Sequence, residues 1–454
     1  MKTRIHNIAQ LAAVPPGPVA GCQIGFPPLV EDAVVVIEDE RISSFGPAED
    51  APADEVDLAI DANGGTVVPG LVDCHTHVVF AGSREAEFVQ RIRGDSYIEI
   101  LEAGGGIKNS VRALRNATID DLVGQSRPRL ERMIATGTTT VEAKSGYGLT
   151  PDDEIKTLQA IHKLDEQLPI DIVPTFLGAH TVPPEFDGRP DAYLDVITDE
   201  SLLRRISGEG LAVFADVFCE RGAFNVDQSR RFLSACKEHG LTPKIHSEQI
   251  TNTGATRLAV ELGAVSADHL ECINEEDIEA LKNVLNSYGT GVSPVDPSNC
   301  GTGVSPVDPP PGPRCHRNAG TSAVQAGTIP VILPGCSFFL GSEPAPARKL
   351  IDAGLPVALA TDCNPGSCTI ESLPLIMSIA AMMLRMTPAE SLVACTANAA
   401  AAIGLADRMG AIASGFQADL LILDIPNLNH WAYCVGINPV QTVIKRGRVV
   451  FEKR

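Results

Sequence analysis

Two histidines separated by one residue, His75 and His77, close the apolar run GLVDCHTH. In an extended strand, residues i and i+2 project to the same face, so both imidazoles can reach one metal ion. By itself an H-x-H pair is a weak signal. Three more polar residues end apolar runs further along: His246 in TPKIHSE, His269 in VSADHLE and Asp362 in PVALATDCN. Burying a polar side chain without a partner is costly, so five at matching positions point to one shared centre. Any one of them alone reads better as a satisfied core residue. The set reads as a metal site able to activate water.

Such a site needs elements that bring distant residues together. Short runs rich in Val, Ile and Thr alternate with helical segments through the middle of the chain. In order they are GLVDCHTH, TTTVEAKS, IVPTFLGAH, FADVFCE, TPKIHSE, VSADHLE, TIPVILPG and PVALATDCN. Helical character falls between them, as in DDEIKTLQAIHKLDEQ, QSRRFLSACKEHG, TGATRLAVELG and PARKLIDAG. Continuous apolar strands alternating with helices mean a parallel sheet covered by helices. Eight units fit a (β/α)8 TIM barrel, an α/β fold whose reactive side chains sit at the C-terminal strand ends. An open doubly wound sheet competes, but no Gly-rich dinucleotide fingerprint follows an early strand. Both chain ends are strand-rich and punctuated by Gly, Asn and Asp, which predicts a small β-sandwich built from the two together. The expected organisation is residues 1–66 and 406–454 for that β-sandwich and 67–405 for the barrel.

One segment breaks the pattern. From about Val284 to Ala326 the chain is Pro/Gly-rich and carries the unit GTGVSPVDP twice, at Gly289–Pro297 and Gly301–Pro309. It has no apolar periodicity with which to build a core. It falls between a helix and the next strand, on the barrel face opposite the reactive one, so it should leave the chemistry alone. Cys300, Cys315 and His316 within it read as solvated loop residues. AGGGIKNSV lacks the Gly-Lys-Ser/Thr ending of a phosphate loop and reads as a loop over the barrel mouth.

The 454 residues carry 36 Lys+Arg against 57 Asp+Glu, a formal charge of −21. That acidity argues against nucleic acid, whose phosphates require clustered cations. No window approaches the ~18 unbroken apolar residues of a membrane span. The N-terminal stretch is broken by Asn7, Gln10 and Pro15-Pro16, so no signal peptide is read. Twelve scattered cysteines without a C-x-x-C pair read as reduced thiols in a cytoplasmic protein.

The pattern V-x-P-G-x-x-D-x-H-x-H, with later His residues on the fifth and sixth strands and Asp on the eighth, resembles the amidohydrolase superfamily of metal-dependent hydrolases. Longer stretches, among them FAGSREAEFVQRIRGDSY, EAKSGYGL, TFLGAHTVPPE and LPGCSFFL, resemble its branch that opens the cyclic amide 4-imidazolone-5-propanoate to N-formimidoyl-L-glutamate. The resemblance implies His75, His77, His246 and Asp362 as ligands of one Zn or Fe ion per chain. Dinuclear relatives carry a carbamylated Lys on strand four, where this chain has Cys219-Glu220. A bound metal brings water toward hydroxide at neutral pH. Asp362 would take the water proton, and His269 would assist proton transfer and stabilise the oxyanion. Arg84 would hold the substrate carboxylate, with Tyr147, His180, Gln249, Asn364, Gly366 and Ser367 as further substrate contacts. Some relatives carry Glu in place of Gln249, which leaves its part in proton transfer open. The resemblance also suggests a homodimer.

Read without it, Arg84, Tyr147 and Lys144 are as well explained by loop packing and structural ion pairs. Two rival functions follow from the same residues. A purine- or pyrimidine-type ring deaminase would use the same metal set on a substrate usually without a carboxylate. A non-catalytic metal-binding scaffold, disrupted by the repeat, would bind metal without turnover.

Overall fold

The computed structural model describes residues 1–50, 55–95, 105–287 and 327–453. At the N-terminus, β1 (Lys2–Ala12) pairs antiparallel with β2 (Leu29–Glu38), which pairs antiparallel with β3 (Arg41–Pro47). On its other side β1 pairs in parallel with β4 (Leu58–Asp61) and then with β5 (Thr66–Pro69). The two halves of β1 are separated by a register shift between Ile5 and Ile8, where Asn7 adopts a left-handed φ of 56°. Asn tolerates that conformation better than most residues.

The eight expected barrel strands are all present. They are β6 (Leu71–Asp73), β7 (Thr138–Lys144), β8 (Asp171–Ala179), β9 (Phe214–Val217), β10 (Thr242–Ser247), β11 (Ser266–His269), β12 (Ile329–Ile332) and β13 (Ala358–Leu359). Each is parallel to the next. A bridge between Thr76 and Cys363 joins the first strand to the last and closes the ring. Helices cover the strands, and their ends carry the expected signals. Pro151 opens Pro151–Gln167 behind a Thr150 cap, and Asn225 and Gln228 form a capping box on Val226–Glu238.

After the barrel, β14 (Leu420–Leu423) returns antiparallel to β5 and continues through β15 (Val440–Lys445) to β16 (Arg448–Glu452). Both chain ends therefore belong to one eight-stranded mixed sheet. Ile5, Leu11, Val35 and Ile37 share a buried cluster with Leu420, Ile422 and Ile444. At about 1.5–3 kcal/mol per buried aliphatic side chain, this shared core ties the ends together.

Polar residues join that sheet to the bottom of the barrel. Lys445 Nζ lies 2.8 Å from Asp171 Oδ2 and 2.7 Å from Asp419 Oδ2, and Arg446 Nη2 lies 2.9 Å from Asp171 Oδ1. Asp171 opens β8, so the tie is at the end opposite the ligand-bearing tips.

Two boundaries differ from the sequence expectation. Helix Glu275–Ser287 runs through Val284–Ser287, four residues into the presumed Pro/Gly segment, because Val284 and Leu285 still continue its apolar face. The repeat itself, with Cys300, Cys315 and His316, lies outside the described residues. Ile107–Val111 of AGGGIKNSV are helical, within Ile107–Asn116, rather than loop; Val111 and Leu114 bury one face of that helix. Among the described residues no helix is long and apolar enough to cross a membrane, and ten cysteines are free thiols.

Candidate active site

His75 and His77 lie just past β6, His246 within the C-terminal end of β10, His269 at the end of β11, and Asp362 just past β13. The barrel gathers all five within its mouth, and none is more than 3% exposed. His77 Nε2 and His246 Nε2 are 3.4 Å apart, and Asp362 Oδ1 lies 3.7 Å from both His75 Nε2 and His77 Nε2. Ligand atoms at about 2.05 Å on a tetrahedral ion stand about 3.3 Å from one another, so these spacings fit one metal with little adjustment.

The protonation pattern points the same way. His75 Nδ1 donates to Asp268 Oδ2 at 2.6 Å, which leaves Nε2 as a buried lone pair with no hydrogen-bond partner. A carboxylate behind a ligating imidazole fixes its tautomer and raises its basicity. His246 Nδ1 lies 3.1 Å from Asp216 Oδ2, off the ideal hydrogen-bond direction. Burial, followed by neighbouring cations, holds His75 well below the ordinary histidine range; for His77 burial again leads, then His180 and His246. Both are neutral, the form that binds metal. His77 Nε2 and His246 Nε2 face each other at 3.4 Å, the spacing of two imidazole nitrogens directed at one ion. The residues present therefore fit a metal ion.

Beneath these ligands is a charged layer of which the sequence reading offered only an ion pair at Lys144. Lys144 Nζ contacts Glu142 Oε1 at 2.6 Å and Asp216 Oδ2 at 2.7 Å, and lies 3.9 Å from Asp268 Oδ2. Lys244 Nζ lies 3.6 Å from Glu142 Oε1 and 3.9 Å from Asp268 Oδ2. All five are fully buried. Burial would strip Lys144 of its proton, but three carboxylates outweigh it and hold its pKa above the usual lysine value. The ammonium in turn keeps Asp216 ionised: burial opposes this, but His246 and Lys144 prevail. Lys144 thus makes structural ion pairs. The available signal was the run of charges within otherwise apolar strands, at TTTVEAK and SADH.

His180 stacks on His77, with ring centroids 5.1 Å apart and 18° between planes. Its Nδ1 bonds the Gly146 carbonyl at 2.9 Å, and burial pushes its pKa down to about 3, so it stays neutral. Tyr147, 5.8 Å from His77, is also buried, and burial raises its phenol well above the usual value. Glu154 holds the loop that carries Tyr147, an anchor the sequence reading did not identify. Its carboxylate accepts from the N–H groups of Gly146, Gly148 and Leu149 at 3.0, 2.9 and 2.8 Å. Gly146 has φ 104°, and a Cβ there would strike Leu177, so the turn requires glycine.

The segment after Asp362 forms a tight Asx turn. Asn364 Oδ1 accepts from Gly366 and Ser367 N–H at 2.8 and 2.7 Å, and its Nδ2 donates to the Asp362 carbonyl at 2.7 Å. Asn364 therefore uses its amide to shape the turn. Ser367 Oγ lies 3.3 Å from Asp362 Oδ2. Arg84 reaches the same turn. Its Nε and Nη2 pair with Glu87 Oε2 at 2.8 and 2.7 Å, while Nη1 lies so close to Gly366 that any Cβ there would collide with it. Gln249, half-buried, donates through Nε2 to Cys336 Sγ at 3.7 Å.

Several strand tips adopt uncommon backbone. His269 (φ 84°), Leu270 (φ 70°), Asp362 (φ 54°) and Glu248 (φ 54°) are left-handed without being glycine. Each such residue costs about 1–3 kcal/mol and persists only where its surroundings hold it. His269 Nδ1 is 3.4 Å from Glu271 Oε1. Burial would lower its pKa, but Glu271 and then Asp362 outweigh burial and raise it.

The sequence profile described as the amidohydrolase family matches residues 66–450. The imidazolonepropionase of Geobacillus kaustophilus (strain HTA426) is 43% identical over 452 residues, covering 98% of this chain and 96% of that protein. That of Brevibacillus brevis (strain 47 / JCM 6285 / NBRC 100599) is 42% identical, covering 98% and 97%. Among solved structures, triazine hydrolase from Arthobacter aurescens superposes with a TM-score of 0.70 at 16% identity, covering 99% of this chain and 95% of that one. The 5-methylcytosine deaminase of Klebsiella pneumoniae with 5-fluorocytosine gives a TM-score of 0.68 at 16% identity, covering 100% and 98%. These two show the fold.

Proposed function

Since the chain belongs to the amidohydrolase family, and within it to the imidazolonepropionases, we propose that it hydrolyses 4-imidazolone-5-propanoate to N-formimidoyl-L-glutamate. His75, His77, His246 and Asp362 would hold one Zn or Fe ion per chain, His₃Asp ligation accepting either. When bound, that ion supplies Lewis acidity and makes hydroxide accessible near neutral pH. Asp362 takes the proton of the attacking water, with Ser367 Oγ near its second oxygen. His269, coupled to Glu271, delivers a proton toward the departing ring nitrogen and stabilises charge on the carbonyl oxygen.

One observation carries the substrate assignment: the Arg84 guanidinium rests on the Asn364–Ser367 turn directly after Asp362. A molecule of charge −21 needs such a cation to accept an anionic substrate. Glu87 covers one edge of the guanidinium, leaving Nη1 for the carboxylate of the propanoate arm. Tyr147, His180 and Gln249 then line the ring, with Asn364, Gly366 and Ser367 supporting it from the turn. A neutral deaminase substrate would leave Arg84 paired with Glu87 alone. Ten free thiols among the described residues support a reducing, cytoplasmic location.

Steady-state hydrolysis of freshly generated 4-imidazolone-5-propanoate, followed by loss of its ultraviolet absorbance with and without a chelator, tests the reading. Metal-dependent formation of N-formimidoylglutamate is expected. No turnover by folded, metal-loaded protein would overturn the assignment and move attention to ring deamination.

A further inference from the structure

Beside the main ligand cluster, a second set of donors converges that the proposed reaction leaves only partly used. His269, Glu271 and Cys336 each offer one ligand atom, all within 4.8 Å of one another. The Glu271 side chain is 8% exposed and Cys336 is 1% exposed. Glu271 Oε1 faces His269 Nδ1 at 3.4 Å and accepts from Ser337 Oγ at 3.4 Å. Its other oxygen, Oε2, is buried and has no hydrogen-bond partner among the described residues. A buried, orphaned carboxylate oxygen is costly, and a cation is one means of satisfying it.

We propose that His269, Glu271 and Cys336 form a second, weaker divalent-cation site whose occupation switches the hydrolase off. Imidazole nitrogen, carboxylate oxygen and thiolate sulfur together favour Zn²⁺ and similarly borderline ions over Mg²⁺ or Ca²⁺. Burial raises the Cys336 thiol well above its usual pKa, so it is protonated until metal binds. Binding then forms the metal–sulfur bond and releases the thiol proton to solvent, which makes uptake weaker at low pH. The His75–His77–His246–Asp362 cluster contains no thiol, so the two sites differ in softness and in spectrum.

The inhibitory part of the proposal rests on the function above. An ion bound at His269 Nδ1 takes the nitrogen that faces Glu271 and ends their coupling. It also stands next to Gln249, which contacts Cys336 Sγ, so substrate and second ion compete.

The test uses the full-length protein carrying one equivalent of metal, titrated with Co²⁺ for spectroscopy and with Zn²⁺ for kinetics. A second equivalent should bind and give a near-ultraviolet thiolate-to-cobalt charge-transfer band, and excess Zn²⁺ should inhibit competitively with substrate. Cys336→Ser should retain the first equivalent and basal turnover, lose the band, and shed most of the Zn²⁺ inhibition. Glu271→Gln should weaken the second equivalent at least tenfold while keeping the band at saturation. Binding of only one equivalent, or an unchanged band or Zn²⁺ inhibition in Cys336→Ser, overturns the proposal. The band and stoichiometry do not depend on turnover. A protein that binds both equivalents yet fails to hydrolyse the imidazolone would sink the functional assignment and leave the second site standing.

Discussion

The Asp362 backbone N–H donates to the His75 carbonyl at 3.0 Å, and His77 N–H donates to the Cys363 carbonyl at 2.9 Å. The bonds that close the barrel therefore run between residues that carry candidate ligands or adjoin them. Closure and site assembly are one event, because the ligand side chains can converge only when the first strand meets the eighth.

Asp268 fixes His75 through a 2.6 Å bond, so Asp268→Asn should loosen metal without removing a ligand. Retained metal after chelator competition should fall about 10–100-fold in affinity, the usual effect of losing an outer carboxylate. Equal retention in wild type and variant would show that the carboxylate does not orient the imidazole.

Gly366 touches the Arg84 guanidinium, so Gly366→Ala should reproduce the Arg84→Ala phenotype without changing charge. Losing a charge-assisted contact of about 1.5–3 kcal/mol raises KM roughly 10–100-fold. The change should fall mainly on KM, with metal content unaltered. A variant with wild-type KM would place the carboxylate elsewhere.

Glu154 accepts three backbone N–H bonds from the loop carrying Tyr147. Glu154→Ala should lower stability by about 3 kcal/mol, since buried donors are left unpaired. Amide exchange at Gly146–Leu149 should accelerate selectively. Protection equal to wild type would mean the loop is held by other contacts.

Lys445 and Arg446 hold Asp171 below the usual carboxylate range even though burial pushes it upward. Such a depressed carboxylate stabilises the fold above its unfolded pKa of about 3.9. That contribution is lost as pH falls through the folded value. Lys445 behaves in the opposite sense: burial opposes its charge, but Asp171 and Asp419 raise its pKa. Its contribution is full below its unfolded pKa of about 10.4 and is lost as pH rises through the folded value. Lys445→Met should therefore move the acid limb of Tm against pH to higher pH and remove the alkaline contribution. Superimposable profiles would refute the linkage.

Gly327 packs against Val284 and Leu285, so the chain re-enters beside the helix it left. Replacing residues 288–326 with a short Gly-Ser linker should leave kcat and KM within about twofold, since loop-closure cost changes slowly with length. Loss of activity in a folded deletion variant would assign the repeat a role in the reaction.

His75, His77, His246, His269 and Asp362 were legible in the sequence because each is a polar residue at the end of an apolar strand, and strand period and barrel order bring such ends together. The eight strands were legible for the same reason, their burial leaving continuous apolar runs. Arg84 and Tyr147 could be singled out only through resemblance, since loop residues carry no periodicity. The sequence could not reveal that Lys144 supports Asp216 and Asp268, that Glu154 holds the Tyr147 loop, or that Cys336 meets Glu271. Those pairings join residues between 5 and 124 positions apart. Their partners are chosen by three-dimensional packing, where burial forces each charge to find whichever opposite group the closed barrel brings within reach.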